Sequence, residues 1–193
     1  MRNELIEQIE AYHPCNAQEE KDREVILFAL RNTEDIFFRT NTVAHMTASA
    51  WTVSPDFGRI LMAYHNIYDS WSWLGGHADG DEDLLSVAVK EVLEESGITA
   101  VTPLSDAIFS LEVLTVDGHV KNGSYVSSHL HLNITYLLSA DDREQPVRKP
   151  DENKAVAWFK RAIAVEQSSE PWFRERIYSK LNRKLEEFIR QRS

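Results

Sequence analysis

One uninterrupted helix-forming run, 82–95, stands between β-rich segments near the middle of the 193-residue chain. Three glycines and two aspartates lie within 75–81, directly before this run, and Gly97 follows it. Such surroundings are typical of a loop that leads into a helix and of a glycine that ends it. A single central helix with strands on both sides favours an α/β fold in which helices cover a mixed sheet.

Residue patterns elsewhere predict the elements around this helix. Apolar residues at helical spacing predict helices over 3–12 and 21–31, and a mixed-charge run predicts a long C-terminal helix over 170–192. Residues that favour strands predict a β-structure over 46–53, 59–65, 107–116, 125–138 and 155–159. We therefore expect an N-terminal helical extension, 1–42, followed by one domain, 43–193.

The charge and composition bound the possible partners. The chain carries 31 acidic against 21 basic side chains, a net charge of −10, which repels a phosphate backbone and disfavours duplex nucleic acid as a partner. No apolar run approaches the roughly 18 residues of a membrane span. The first ten residues lack the apolar stretch of a secretory signal, and Cys15 is the one cysteine. We expect a cytoplasmic protein that does not associate with membranes.

Three glutamates on the central helix are the most informative group. Glu91, Glu94 and Glu95 stand at positions i, i+3 and i+4, so they share an arc of about 100° on a helix. Like charges at this spacing disfavour a helix by roughly 0.2–0.5 kcal/mol per pair, and a bound cation removes the conflict. Oxygen ligands without a cysteine pair favour Mg²⁺ or Mn²⁺, which in turn predicts a phosphorylated small-molecule substrate.

The apolar side chains of the same helix predict how it is anchored. Leu85, Ala88, Val89 and Val92 lie on the opposite arc and are expected to face the core, while the acids face a cleft. Gly76 precedes the helix, where the absence of a Cβ allows backbone atoms to approach bound ions closely.

The stretch 76–98 resembles the Nudix box, written as Gly, five residues, Glu, seven residues, Arg-Glu, an aliphatic residue, any residue, Glu-Glu, any residue, Gly and an aliphatic residue. The one departure is Lys90 in place of arginine, which keeps the charge but loses the planar fork that makes two hydrogen bonds. The likeness to the α/β/α sandwich of this family, which includes MutT-like proteins, covers 43–190. The matching positions are Gly76, Glu82, Glu91, Val92, Glu94, Glu95, Gly97 and Ile98.

This resemblance implies a Mg²⁺-dependent or Mn²⁺-dependent hydrolase. In the implied reaction, water attacks one phosphorus of a nucleoside diphosphate linked to a group X, which yields a nucleoside monophosphate and X-phosphate. The resemblance also implies that Glu91 and Glu95 hold the ions, assisted by Glu94 and the Gly76 carbonyl. Nudix enzymes differ in their general base. We expect Glu91 or Glu94 in this role, and an acid from a later loop such as Glu152 stays open.

Histidines and aromatic residues supply the candidate substrate contacts. His129 and His131 lie two apart in a predicted strand and therefore face the same side. Together with His45 they resemble a subgroup of bacterial Nudix proteins that pair such histidines across the sheet. His65 and Trp73 precede the box, and aromatic faces stack on bases. The ordinary alternative for each residue is a place in the core or on a polar sheet face.

Sequence tags of particular substrate classes are absent. Glu112 stands where ADP-ribose hydrolases resemble one another in a proline, and Leu114 stands where diadenosine polyphosphate enzymes have a tyrosine. The group X therefore stays open, and so does the formation of a homodimer.

Three other functions compete with hydrolysis. Lys90 and the missing tags motivate a Nudix module that binds a nucleotide without cleaving it. An isomerase of isopentenyl diphosphate requires a cysteine in the site, and Cys15 lies well before the sheet. A third alternative places a soft metal on His45, His129 and His131.

Overall fold

The computed structural model describes residues 1–67, 69–121 and 123–192. Its helices are α1 (Arg2–Ala11), α2 (Ala17–Asn32), α3 (Leu84–Ser96), α4 (Arg161–Gln167) and α5 (Ser179–Arg190). Its strands are β1 (Ala44–Val53), β2 (Arg59–His65), β3 (Ser70–Ser72), β4 (Leu74–His77), β5 (Thr102–Pro103), β6 (Ser110–Val116), β7 (His119–Lys121), β8 (Ser124–Val126), β9 (His129–Ser139) and β10 (Asn153–Lys160).

The strands form a mixed sheet. Eight of them follow the order β10-β2-β1-β9-β5, with β3 paired to β2, β4 to β1 and β6 to β9. The Leu130 amide donates to the Val43 carbonyl, and the Ala140 amide donates to the Val53 carbonyl. Because these two bonds keep the same sequence offset, β1 and β9 run parallel, whereas β2 and β10, like β6 and β9, are antiparallel. The α/β class with a mixed sheet, expected from the sequence, is confirmed.

The residues group into two compact units. The first comprises Met1–Ser49, Gly76–Val87 and Asp106–Tyr136. Helix α2 packs on β6 in this unit. Its buried side chains include Leu5, Ile9, Ile26, Leu30, Met46, Leu111, Leu132 and Ile134. The expected domain boundary after residue 42 stays a prediction.

The second unit comprises Ala50–Gly75, Ala88–Ser105 and Leu137–Ser193. Strand β10 pairs with β2 along its length, and Trp51 stacks on Tyr178 with ring centroids 5.6 Å apart. Buried residues of this unit include Ile60, Leu61, Met62, Leu74, Ile177, Leu181 and Leu185.

Several element boundaries differ from the sequence-based expectation for local reasons. Helix α2 begins at Ala17, before the expected 21, because the Asn16 side chain accepts a hydrogen bond from the Glu19 amide at 2.9 Å and caps the helix. The expected C-terminal helix contains a π-helical segment, Phe173–Tyr178, where the Ser179 amide donates to the Arg174 carbonyl five residues earlier.

Two further differences concern strands and a short helix. The turn-rich segment expected over 117–124 instead contains β7, which pairs with β8 in a separate hairpin. Helix α4 was not expected from the sequence. Within the described residues, no helix has the length and apolarity that crossing a membrane requires.

Candidate functional site

Helix α3 carries the glutamates, and its buried face differs from the expected one. Ala88 and Val92 are buried as expected, but Leu85 and Val89 are only half-buried. Leu84 and Val87 occupy the core in their place. The Asp83 side chain accepts a hydrogen bond from the Ser86 amide at 3.1 Å and caps the helix, which begins at Leu84.

Glu95 lies on this buried face instead of sharing an exposed patch with the other two acids. Its side chain is 7% exposed, and its Oε2 atom accepts a hydrogen bond from the Gly75 amide at 3.1 Å. Burial raises the pKa of Glu95 to about 8, and the negative charges of Glu91 and Glu152 act in the same direction. The three glutamates therefore differ in exposure, and Glu95 is the most buried of them.

Glu91 and Glu94 occupy different environments from Glu95 and from each other. Glu91 is half-buried, and its pKa is raised by burial and by the negative charges of Glu152 and Glu94. Glu94 is exposed, and its carboxylate lies 3.5 Å from the Nζ atom of Lys149. Lys149 also pairs with Glu152 at 3.0 Å. We call Glu91, Glu94, Glu95 and Glu152 the carboxylate cluster.

Lys90, which replaces the arginine of the box, makes one long contact with the cluster. Its Nζ atom lies 3.7 Å from an oxygen of Glu94, one helical turn away, and its side chain is mostly exposed. A guanidinium at this position has donors for two parallel hydrogen bonds, whereas the ammonium acts as a point charge. Lys90 therefore holds Glu94 less firmly than arginine does.

The glycines of the box have distinct structural positions. Gly97 ends α3 with a φ of +63°, and a Cβ at this position would lie 3.0 Å from the Val147 Cβ. The expected left-handed helix end is therefore confirmed. Gly76 lies in β4 and belongs to the first unit. A role for the Gly76 carbonyl oxygen in metal binding stays a prediction.

Four histidines of the first unit converge on one place, which we call the histidine cluster: His45, His77, His129 and His131. The ring centroid of His45 lies 5.1 Å from that of His77, 5.0 Å from that of His129 and 4.9 Å from that of His131. The sequence singled out three of these residues as neighbours. It missed His77, whose position directly after Gly76 of the box was the available signal.

The surroundings of His45 and His131 oppose protonation of their rings. Burial, together with the neighbouring histidines, lowers the pKa of His131 to about 2. Burial also lowers the pKa of His45. Neutral imidazoles have a lone pair on one nitrogen, so they act as ligands for metals or as hydrogen-bond acceptors, and they do not attract phosphate by charge.

The two remaining substrate-contact candidates belong to the second unit. Trp73 is 9% exposed and packs edge-on against Tyr178 at 5.7 Å, which is the packing of a core residue. His65 is half-exposed at the end of β2, and its Nδ1 atom accepts a hydrogen bond from the Ile67 amide at 3.2 Å. A substrate contact by either residue stays a prediction, and the burial of Trp73 offers it little support.

Glu112 stands where ADP-ribose hydrolases resemble one another in a proline. It is completely buried in a polar network. Its carboxylate accepts hydrogen bonds from the Asn133 amide at 3.0 Å and from the Thr135 hydroxyl at 2.8 Å. The Asn133 carbonyl oxygen accepts from the hydroxyls of Thr47 and Ser49. The network thus satisfies the buried polar atoms of these side chains and connects β1, β6 and β9 within the first unit.

Sequence and structure comparisons add independent information. Residues 43–181 match the profile described as the NUDIX domain. A comparison with curated proteins finds no match.

Solved structures of similar fold include a C. elegans Ap4A hydrolase in a binary complex, which is 18% identical with a TM-score of 0.54 and covers 76% of this chain and 98% of its own. The E. coli dihydroneopterin triphosphate pyrophosphohydrolase is 16% identical with a TM-score of 0.51, over 70% of this chain and 92% of its own. A MutT protein from Methanosarcina mazei Go1 is 17% identical with a TM-score of 0.54, over 75% of this chain and 96% of its own. At these identities the likeness establishes the fold, as expected from the sequence.

Proposed function

Because this chain belongs to the Nudix family, whose profile spans residues 43–181, we propose that it is a Mg²⁺-dependent enzyme that cleaves the diphosphate bond of a nucleoside diphosphate joined to another group. Family membership makes it a Nudix-type pyrophosphohydrolase that acts on small phosphorylated compounds. The metal, the nucleotide nature of the substrate and the roles of individual residues are the proposed part. The observation that carries them is the convergence of four acids on one end of α3 and the loop before β10.

The carboxylate cluster fits a hard divalent cation. Its donors are carboxylate oxygens, the ligand type that Mg²⁺ and Mn²⁺ prefer. Glu91 and Glu95 have raised pKa values because burial and mutual repulsion oppose their ionisation, and a cation between them relieves both effects. We assign Glu91 and Glu95 as the principal ligands and Glu94 as an additional one. A bound cation supplies charge neutralisation for the diphosphate and acidifies water.

The residues of the chain supply orientation and a proton acceptor. Glu95 is fixed by burial and by the Gly75 amide, so its carboxylate has little freedom to move. Hydrolysis also needs a base that takes a proton from the attacking water. We propose Glu91 for this role, because its carboxylate lies near those of Glu94 and Glu152 in the cluster. Glu94 is the alternative base.

Lys149 contributes a positive charge beside the acids. Its ammonium group pairs with Glu94 at 3.5 Å and with Glu152 at 3.0 Å, and its side chain remains one-third exposed. An ammonium in this position holds the two carboxylates while the cluster is without a cation. We propose that it also contacts a phosphate oxygen of the substrate, which is a role that lysine commonly takes.

Turnover by matched variants tests this proposal. The wild type, Glu91→Gln, Glu95→Gln and Glu186→Gln are incubated with a panel of nucleoside diphosphate compounds and either Mg²⁺ or EDTA. Glu186 is an exposed glutamate on α5 and serves as the control. We expect product only with Mg²⁺, from the wild type and the control. Equal product from Glu95→Gln, or product in EDTA, would contradict the proposal.

The single contact of Lys90 favours a second candidate, a module that binds nucleotides without cleaving them. Its 3.7 Å contact leaves Glu94 without the two hydrogen bonds of an arginine. Calorimetric binding of a nucleotide, with no product after prolonged incubation with Mg²⁺ or Mn²⁺, would establish this alternative. Rapid turnover would exclude it.

A further inference from the structure

The histidine cluster gathers imidazoles from three strands of the first unit. His45 comes from β1, His77 from β4, and His129 with His131 from the beginning of β9. One ring nitrogen from each of His45, His77 and His131 lies within 4.8 Å of the others. The Nε2 atoms of His129 and His131 are 3.2 Å apart. Two ligands of a tetrahedral zinc ion with Zn–N bonds of about 2.0–2.1 Å are separated by about 3.3–3.4 Å.

Two of the rings are held with a lone pair on Nε2. The Nδ1 atom of His45 lies 3.0 Å from the Asn41 carbonyl oxygen, and the Nδ1 atom of His129 lies 2.8 Å from the Ser127 carbonyl oxygen. Because a carbonyl oxygen only accepts hydrogen bonds, each Nδ1 atom carries the hydrogen, and each Nε2 atom has its lone pair available. A backbone carbonyl on the second ring nitrogen is a usual way to orient a metal-binding histidine.

The Nε2 atom of His45 is the second indication of a ligand. The His45 side chain is 3% exposed, and among the described residues its Nε2 atom has no hydrogen-bond partner. A buried polar atom that lacks a partner destabilises the folded state. The centroid of the His45 ring lies within 5.1 Å of the centroids of the other three rings. A ligand bound among the four rings would therefore give the Nε2 atom of His45 a partner.

We propose that His45, His77, His129 and His131 bind one divalent transition-metal ion, with Zn²⁺ as the expected occupant. Within the part of the chain that the structure describes, the three residues with converging ligand atoms are all histidines. Imidazole suits Zn²⁺ and its neighbours Co²⁺ and Ni²⁺, whereas Mg²⁺ prefers oxygen ligands. This site is therefore chemically separate from the carboxylate cluster and does not depend on the proposed hydrolysis.

A structural role follows from the number of ligands. Four protein ligands close a tetrahedral site and leave no position for water, as in structural zinc centres. The ion joins β1, β4 and β9 of the first unit, so its binding stabilises the folded state. We expect Zn²⁺ to raise the thermal unfolding temperature and to leave the Mg²⁺ requirement of turnover unchanged.

Cobalt substitution tests the site directly. The full chain is stripped with a chelator and titrated with Co²⁺, whose tetrahedral complexes absorb strongly in the visible range, and bound zinc is counted by elemental analysis. The variant His131→Asn is compared with His119→Asn, whose histidine is half-buried in the β7–β8 hairpin, outside the histidine cluster. We expect the wild type and the control to bind about one equivalent of Co²⁺. The affinity of His131→Asn for Co²⁺ should be reduced more than about 100-fold, because loss of an outer-shell partner alone reduces metal affinity about 10–100-fold.

Two further measurements make the outcome decisive. The variant Glu91→Gln/Glu95→Gln is expected to keep its Zn²⁺, and loss of Zn²⁺ from this variant would move the ion to the carboxylate cluster and overturn the proposal. If His131→Asn does not fold, the Co²⁺ wild type is examined by NMR for hyperfine-shifted imidazole N–H signals. At least three such signals would support the site. Fewer than three, or no visible absorption at equimolar Co²⁺, would overturn it.

Discussion

The carboxylate of Glu95 is buried at the end of α3 and accepts a hydrogen bond from the Gly75 amide of β4 at 3.1 Å. This contact ties the acid-bearing helix to the strand that begins the box. It also keeps an ionisable group in a place where burial opposes its charge. Glu95 therefore lowers the stability of the metal-free protein at neutral and higher pH, and the proposed role in metal binding accounts for a carboxylate at this position.

Substitution of Glu95 by glutamine is expected to change stability and activity in opposite directions. Glutamine keeps an oxygen that accepts from the Gly75 amide but carries no charge. In EDTA at pH 9, unfolding by urea should show Glu95→Gln to be more stable than the wild type by a few kcal/mol, because the wild-type pKa lies well above that of a free glutamate. Turnover with Mg²⁺ should be lost. A variant that is both less stable and fully active would refute this account.

The same residue predicts a pH dependence of stability in the metal-free wild type. The pKa of Glu95 is about 8 in the folded state and near 4.5 in the unfolded state. The folded state therefore binds the proton more tightly, and the free energy of unfolding falls as the pH rises from 4.5 to 8. Urea unfolding in EDTA across this range should show the decline, and Glu95→Gln should show less of it. A wild-type stability that rises over this range to the same extent as in Glu95→Gln would contradict the raised pKa.

Replacement of Lys90 by arginine is expected to increase turnover several-fold. The guanidinium can make two hydrogen bonds to Glu94, where the ammonium makes one contact at 3.7 Å. Steady-state kinetics should show the change in kcat more than in KM, because the substitution orders an acid of the cluster. Lys21→Arg is the control, since Lys21 pairs with Glu24 on α2 in an exposed helical position. A drop in kcat for Lys90→Arg would show that lysine is preferred here.

Gly97 is predicted to be irreplaceable for both backbone and steric reasons. Its φ of +63° disfavours a side chain, and a Cβ would lie 3.0 Å from the Val147 Cβ. Gly97→Ala should lower the free energy of unfolding by more than the roughly 1–2 kcal/mol that a left-handed conformation alone costs. Gly123→Ala separates the two effects, because Gly123 has a φ of +79° with nothing within 4 Å of an added Cβ. Equal losses in the two variants would show that the Val147 contact is unimportant.

Trp73 provides a test of a core role against a substrate role. Because it is 9% exposed and packs on Tyr178, Trp73→Leu should lower stability by roughly 1–3 kcal/mol and leave KM unchanged. Urea unfolding and steady-state kinetics measure the two quantities separately. A rise in KM without loss of stability would instead restore the stacking role that the sequence suggested.

The box could be predicted from the sequence because its residues lie close together along the chain. Glu91, Glu94 and Glu95 are neighbours on any helix, and Gly97 marks the helix end by its own conformational preference. The unequal burial of the three glutamates could not be predicted, because it depends on how α3 packs against residues that are distant in sequence. For the same reason, the hydrophobic pattern did not predict that Leu84 and Val87 are buried in place of Leu85 and Val89.

The histidine cluster, in contrast, could be predicted only in part, because it depends on contacts between distant segments. His129 and His131 were expected on one face because they alternate along a single strand. Their meeting with His45 and His77 depends on pairing between strands that are far apart in sequence. Sequence periodicity carries no information about which strands pair, and for this reason His77 escaped notice although it follows Gly76 of the box.

Hydrolysis of a diphosphate bond is tested most directly by mass spectrometry of the products formed with Mg²⁺ in ¹⁸O-labelled water, using a mixed panel of nucleoside diphosphate compounds. We expect the wild type to yield a nucleoside monophosphate and a second phosphate product, one of which carries a single ¹⁸O atom from the solvent. We expect neither product from Glu95→Gln. Absence of product from the wild type on the whole panel, or labelled product from Glu95→Gln at the wild-type rate, would contradict these expectations.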